Sequence, residues 1–419
     1  MNRFKTKVFQ VIGPGILMAG AAVGVSHLVQ ATRAGADYGL SLLWLLVLAC
    51  ISKYPFMEFG PRYAAATGEN LIAGYKKLGK GYFNAFAVFT IATMFIIQAA
   101  VTLVTAGLAE QYFELGISPF IWCIIILSIC ISLLLIGKYP WLDKTMKVII
   151  TLLTISSILA VIIAFSGRSG QSSQTLWSQK SYWTPTALAF VIAMMGWMPI
   201  PIDASVWHSI WSRERASQTK HRPNLKEALL DFNVGYIAAG LIGILFLLLG
   251  ALVMYGSGLD FSDSGVVFSG QLIDMYSLTL GTWSKPLIAV AALITMLSTT
   301  LAVSDAYPRV ISEIYNHSNM KTPKRIDQWR VYKVSAPTIA LCSLGLLYFM
   351  SDHFTAMIDF ATAMSFLSAP FLAWFNLKLV NTSSLPDAFR PGLTYNIFAW
   401  CCLIFLVAFC GGFIYISLV

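Results

Sequence analysis

Charged residues are scarce in this sequence of 419 residues. Asp, Glu, Lys and Arg together make up 11% of it, whereas hydrophobic residues make up 57%. A typical soluble domain carries about 25% charged residues, so the composition excludes a soluble globular protein. Apolar stretches repeatedly exceed the roughly 18 residues that mark a membrane-spanning helix. The sequence therefore predicts an all-α protein embedded in a lipid bilayer.

The motifs of common enzyme classes are also missing. The chain has no H-E-x-x-H, no G-x-S-x-G and no P-loop, and it has little soluble mass for a catalytic domain. We therefore expect no enzyme activity and no cofactor. The seven cysteines are odd in number, lie in apolar runs and include no C-x-x-C pair, which excludes a disulfide framework.

The hydropathy pattern predicts about eleven membrane spans. They cover approximately residues 8–36, 39–61, 82–110, 118–137, 145–166, 184–211, 229–255, 286–312, 334–350, 354–378 and 395–418. The less apolar stretch 262–280 carries two aspartates, so we place it outside the membrane as a loop with a short helix. We expect one transmembrane domain, 1–419, with one repeat over about 8–166, a second over about 184–380 and an extra span at 395–418.

Lys and Arg are distributed unevenly between the predicted loops. Cytoplasmic loops carry an excess of these residues, which places the N-terminus in the cytoplasm and, after eleven spans, the C-terminus outside. The net charge of +9 is explained by this topology and does not indicate a nucleic-acid partner. We expect a bacterial inner (plasma) membrane protein whose inner loops hold, among others, Arg3, Lys5, Lys7, Arg62, Lys76, Lys77, Lys80, Lys138, Lys144, Lys147, Arg213, Arg215, Lys220, Arg222 and Lys226.

The first predicted span is interrupted in its middle. Gly24, Ser26, His27 and Gln30 lie at membrane depth within residues 13–39. Irregular or polar backbone persists in lipid only where it faces a protein-lined or watery cavity. A broken first span is typical of a secondary transporter's binding site. The alternative is a kinked helix whose small residues permit close packing.

The sixth predicted span is interrupted as well. Pro199 and Pro201 remove backbone donors, and Asp203, Ser205 and His208 follow directly. An acid at this depth is by default a candidate for function. The alternative is a structural ion pair of Asp203 with a Lys or Arg from another span.

The two breaks lie five spans apart. This spacing predicts two five-span repeats of inverted topology, with a small molecule or ion bound where spans one and six are broken. It favours alternating access over a channel. We expect Asp203 to carry a coupling proton, with His208 as a second candidate and His27 facing Asp203 across the breaks.

Other charged residues within the spans are predicted to be structural. Glu58 and Arg62 are four residues apart, and so are Asp305 and Arg309, a spacing that allows an ion pair on one helix. Asp359 stands alone in the tenth span, with no such partner in sequence.

Four segments carry motifs that are shared with one known family. Gly13, Pro14 and Gly15 match its opening G-P-G. The residues Arg62, Thr67, Gly68 and Leu71 resemble its R-L-G-x-x-T-G-x-x-L segment; Pro201 and the pair His208 and Ser209 resemble the two ends of M-P-H-N-L-Y-L-H-S; and Leu367, Pro370 and Phe371 resemble L-x-L-P-F. In these segments the chain resembles the NRAMP family of divalent-metal transporters, which has a LeuT-like, APC-type fold. The resemblance covers nearly the whole chain. It implies about eleven spans with an inverted repeat and proton-linked transport of a divalent metal.

The sequence departs from this family at the metal ligands. The stretch Gly24 to His27 stands where the family has D-P-G-N, and Ile200 or Pro201 stands where it has methionine. The acidic pair expected in span three is also missing. The remaining candidates for binding substrate are Gly24, Ser26, His27, Ile200, Pro201, Asp203 and Ser205, with His27 and Asp203 as candidate metal ligands. They suit a divalent metal, or alternatively a small organic amine or amino acid.

Overall fold

The computed structural model describes residues 13–136, 151, 154–166, 176–178, 184–257, 261–262, 264–318, 325–350, 353–383 and 385–418. Within these ranges the chain is helical, and its β-structure is limited to one isolated bridge between Gly39 and Trp177. The first residues of predicted span one, the first part of predicted span five, Lys138, Lys144 and Lys147 lie outside the described residues.

The first half of the chain forms α1 (Pro14–Ala22), a π-helical segment (Ser26–Ala31), α2 (Thr32–Tyr38), α3 (Leu43–Thr67), α4 (Leu71–Leu78), α5 (Lys80–Phe113), α6 (Pro119–Ile136) and α7 (Thr154–Ser166). The second half forms α8 (Pro185–Trp197), α9 (Ala204–Thr219), α10 (Leu225–Val253), α11 (Gly265–Leu280), α12 (Lys285–Ser318), α13 (Arg325–Met350), α14 (Phe354–Val380) and α15 (Leu393–Leu418). Two short 3₁₀ turns, Thr282–Ser284 and Asp387–Phe389, complete the described elements.

These helices follow the predicted order of spans. Eight of the described helices are long and apolar enough to cross a membrane, and the bent pair around residues 23–25 makes a ninth. The apolar helices α7 and α8 are shorter, so the predicted count of eleven is not confirmed and stays a prediction. The short helix expected in 262–280 is confirmed as α11, whereas the amphipathic α4 was not predicted.

Both halves of span one lie against α10. A Cβ atom on Gly15 of α1 would lie 2.0 Å from the carbonyl oxygen of Asp231, and one on Gly250 would lie 2.3 Å from that of Thr32 in α2. Real Cβ atoms do not approach oxygen so closely, so only glycine permits this backbone-to-backbone packing. The contacts fix the position of the break in span one relative to the rest of the bundle.

The two halves of span six pack against different neighbours. The helix α8 lies along α14, where Trp197 Nε1 donates to Ser365 Oγ at 2.8 Å. The helix α9 instead packs mainly on α3. The non-helical segment between α8 and α9, residues 198–203, therefore lies in the middle of the bundle, beside the break in span one.

Candidate substrate-binding site

The break in span one is confirmed. The helix α1 ends at Ala22 and the π-helical segment begins at Ser26, with an angle of 47° between the two halves of the span. Thr299 Oγ1, from α12, lies 3.1 Å from the carbonyl oxygen of Gly20 and 3.2 Å from that of Val23. The same atom lies 3.2 Å from the carbonyl oxygen of Thr295 in its own helix. A hydroxyl from another helix is therefore within donating distance of the carbonyls at this break. Gly24 lies against the same threonine, since an added Cβ would come within 2.8 Å of Thr299 Cγ2.

The break in span six is confirmed as well. The helix α8 ends at Trp197 and α9 begins at Ala204. Neither Pro199 nor Pro201 can donate a backbone hydrogen bond to the last turn of α8. The Nζ atom of Lys53, a fully buried residue of α3, donates to the carbonyl oxygen of Gly196 at 2.7 Å and lies 3.4 Å from that of Ile200.

A small cavity lies where the two breaks meet. It offers about 30 Å³, roughly the volume that one water molecule occupies in the liquid. Of the predicted site residues, Ser26, Ile200 and Pro201 line this cavity. Its remaining wall is mostly apolar, and Thr299 adds a hydroxyl; the other lining residues include Val25, Ile97, Trp197, Trp207 and Val303.

His27 does not face Asp203, and that part of the prediction is wrong. Its Nε2 atom lies 2.9 Å from the carbonyl oxygen of Ala239 in α10, and its Nδ1 atom lies 2.8 Å from Ser26 Oγ. Because a carbonyl only accepts, Nε2 carries the proton. The Ser26 hydroxyl beside Nδ1 also lies 3.0 Å from the Ala22 carbonyl oxygen, to which it can donate its one proton. Both ring nitrogens of this buried histidine thus lie against groups of the protein and not against Asp203.

Asp203 lies at the start of α9 and contacts α12. Its Oδ2 atom accepts a long hydrogen bond of 3.4 Å from Tyr307. No ion pair joins Asp203 to a Lys or Arg within the described ranges, although it interacts electrostatically with Lys53. The alternative of a structural ion pair with a Lys or Arg from another span is therefore wrong for the described residues; Arg33, for example, binds Asp359.

Ser205 and His208 lie away from the cavity. Ser205 Oγ accepts from Asn376 of α14 at 3.0 Å, so it serves the packing of α9. His208 is fully buried, and its Nε2 atom lies 3.7 Å from Asp231 Oδ2. His208 therefore lies beside Asp231, whose carboxylate accepts from the backbone N–H groups of Gly13 and Gly15 at the start of span one, and not beside Asp203.

The charged pairs on single helices are confirmed, whereas the expectation for Asp359 is wrong. Arg62 donates to Glu58 at 2.8 Å and Arg309 donates to Asp305 at 2.6 Å. Asp359 does not stand alone, because Arg33 of α2 binds both of its carboxylate oxygens, at 2.9 and 3.3 Å. Gln30 also donates to Asp359, at 2.8 Å.

Sequence reasoning missed the roles of Lys53 and Thr299. Lysine is rarely buried without a reason, so its position within an apolar span was the available signal. Thr299 carried no such signal, since its partners lie 276 and 279 residues away in sequence. Within the part of the chain that the structure describes, no three His, Cys, Asp or Glu side chains come together as a metal cluster. Any cation at the breaks would therefore depend largely on hydroxyl and carbonyl oxygens.

Comparison with known proteins identifies the family. The model for Nramp, described as natural resistance-associated macrophage protein-like, matches residues 15–416. A Pasteurella multocida protein, PM0681, is 36% identical over 375 residues, which cover 89% of this chain and 85% of the relative. The divalent metal cation transporter MntH of Staphylococcus saprophyticus is 23% identical over 97% of this chain and 91% of its own length.

Solved structures show the same fold. A mutant of the Eremococcus coleocola manganese transporter matches with a TM-score of 0.73 and 16% identity, over 97% of this chain and 86% of that one. MhsT in complex with L-phenylalanine matches with a TM-score of 0.63 and 15% identity, over 95% of this chain and 98% of that one. The predicted LeuT-like architecture is confirmed, and the fold is that of a transporter embedded in a membrane. The chain belongs to the Nramp family.

Proposed function

We propose that this protein is a secondary transporter that moves a divalent metal cation across a bacterial plasma membrane by alternating access. The observation that carries this proposal is the meeting of the two broken spans at one small cavity. Interrupted helices at this position expose backbone carbonyl oxygens that bind cations. The membership of the Nramp family and the likeness to MntH support a metal as the substrate.

The groups at the cavity favour a hard cation. The polar side chains in its wall are the hydroxyls of Ser26 and Thr299. Oxygen ligands suit Mg²⁺ and Mn²⁺, whereas thioether sulfur favours softer metals. The sulfur of Met198 contributes nothing here, because it packs against α10 within 3.0 Å of where a Cβ on Gly243 would lie. We therefore infer that the transporter does not select Cd²⁺ through sulfur.

A small organic solute such as an amino acid is the second candidate. The apolar wall with Trp197 and Trp207 favours it, and the MhsT structure of similar fold holds L-phenylalanine. The cavity of about 30 Å³ disfavours it, because this volume accommodates an ion or a water molecule. The metal therefore remains the leading proposal.

Purified protein in liposomes tests the proposal directly. The vesicles are supplied with a panel of Mg²⁺, Mn²⁺, Fe²⁺ and Cd²⁺, and in parallel with a panel of amino acids, each with and without a pH gradient. We expect uptake of a hard divalent cation that responds to the gradient and no uptake of amino acids. Uptake confined to an amino acid would establish the second candidate instead.

A further inference from the structure

Lys53 places its amino group at the break in span six. It lies in the interior of α3 and is 0% exposed, yet it forms no ion pair in the described part of the chain. Its ammonium instead donates to the Gly196 carbonyl at 2.7 Å and lies 3.4 Å from the Ile200 carbonyl. A charge taken out of water requires such compensation, so this contact is a specific one.

Of the two carbonyls that Lys53 contacts, that of Gly196 lies in the last turn of α8 and that of Ile200 lies in the break beyond it. The last carbonyls of any helix lack intrahelical donors, and the helix dipole makes that end attractive to cations. In a continuous helix the N–H groups of residues 199 and 201 would donate to the carbonyls of Met195 and Trp197, and proline at both positions removes these donors from the same turn. The C-terminal end of α8 therefore attracts cations, and the side chain of Lys53 already occupies it.

The surroundings of Lys53 offset its charge only in part. Two titratable groups interact with Lys53 electrostatically, Cys50 of the same helix and Asp203 at the start of α9. Asp203 is the acid that acts on Lys53 electrostatically. The neighbouring helix α8 presents backbone carbonyls to the ammonium.

We propose that Lys53 is a specificity-determining residue that acts as a resident cation at the substrate site. Its ammonium competes with the transported cation for the carbonyl end of α8, and its charge repels that cation from the adjoining cavity, one wall of which is Ile200. This lowers the affinity for divalent ions and confines the substrate to the oxygens around span one. The inference rests on the proposed function, because it assumes that a cation enters this cavity.

Neutral substitutions test the proposal through a gain of affinity. Lys53→Met removes both charge and donor, and Lys53→Gln keeps an N–H donor for the carbonyls while removing the charge. We expect both variants to bind Mn²⁺ roughly tenfold or more tightly than the wild type, since repulsion by a nearby unit charge is lost. Repulsion scales with ionic charge, so the gain for a monovalent cation should be smaller. Binding is measured by calorimetry on detergent-solubilised protein.

Two further variants separate charge from structure. Lys53→Arg keeps the charge, and we expect no gain in Mn²⁺ affinity. Lys285→Met removes an exposed lysine that pairs with Asp274 at 2.8 Å, and it should also leave the affinity unchanged. A purely structural role for Lys53 predicts lower stability without tighter binding. If Lys53→Met does not fold, Lys53→Gln decides the question, because its amide can still satisfy the carbonyls.

The possible outcomes distinguish this inference from the proposed function. If both neutral variants bind Mn²⁺ with the affinity of the wild type, and the wild type takes up metal, the inference alone is overturned. Tight Mn²⁺ binding by the neutral variants, with no metal uptake by the wild type, would support the inference and overturn the proposed function. If neither the wild type nor the variants bind any cation, both are wrong.

Discussion

Asp231 of α10 holds the start of span one through the backbone of Gly15. Its Oδ2 atom accepts from the Gly15 N–H at 2.7 Å, and its Oδ1 atom accepts from the Gly13 N–H at 2.9 Å. A carboxylate at a helix N-terminus satisfies donors that have no intrahelical partner and complements the helix dipole. Both groups are buried, so this contact fixes α1 against α10.

Asp231→Ala should release α1 from α10. Each buried N–H left without an acceptor costs about 1–3 kcal/mol, so we expect a lower melting temperature and a span one that opens more readily at its N-terminal end. Labelling of a cysteine introduced at Ala21, which lines the cavity, measures the opening in a background without the native cysteines. Asp231→Asn keeps one acceptor oxygen and should show a weaker effect; equal labelling of all three proteins would contradict the prediction.

Asp359→Asn should weaken the contact between α14 and α2, the second half of span one. The bidentate contact with Arg33 ties α2 to α14 beside a vestibule lined by Tyr38, Ala187 and Phe190. Because both partners are partly exposed, we expect a cost in stability of only about 0–1 kcal/mol. A cysteine at Ala187 should be labelled faster in this variant. Asp274→Asn, which breaks the exposed pair with Lys285, is the matched control and should leave labelling unchanged.

Asp203→Asn should leave folded protein in the membrane and abolish either uptake or its response to a pH gradient. Asp203 adjoins the break in span six and interacts with Lys53 electrostatically, so the substitution removes the carboxylate beside this break. Uptake into liposomes at two pH gradients measures the effect. Tyr307→Phe removes the donor to Asp203 but keeps the carboxylate, and it should retain pH-dependent uptake. A folded Asp203→Asn protein with wild-type uptake and pH response would show that another residue carries the coupling.

The topology is open to a test by reporter fusions. The excess of Lys and Arg in alternate loops predicts that Lys226 lies in the cytoplasm and that Val419 lies outside. Fusions at these two positions should therefore report opposite sides, and a fusion at Gly116, between α5 and α6, should agree with Val419. Reports of the same side from Lys226 and Val419 would contradict the model of eleven spans.

Local sequence patterns predicted the fold well because lipid imposes strict rules on the backbone. Long apolar runs and the breaks at Gly24 and at Pro199 to Pro201 are determined by residues that lie close together in the sequence. The sequence alone therefore located them. The exact number of spans was less certain, since α8 is only 13 residues long and lies next to a break.

The partners of individual side chains could not be predicted in the same way. His27 binds Ala239, and Arg33 binds Asp359, across 212 and 326 residues of sequence. Which helix faces which is set by tertiary packing, such as the glycine contacts between span one and α10, and no local pattern encodes it. For this reason the sequence located the breaks but placed His27 against the wrong partner, and it gave Lys53 no role.

The hydrogen bonds of Lys53 have a consequence for the transport cycle. A carrier that accumulates its substrate must return across the membrane empty, and unsatisfied carbonyls in lipid make that step costly. Here Lys53 donates to the Gly196 carbonyl before any substrate arrives, so we expect the unloaded carrier to have a low barrier to reorientation. We therefore expect net efflux from loaded vesicles to be as fast as exchange against external substrate; exchange that is much faster than net efflux would show that the empty carrier is trapped on one side.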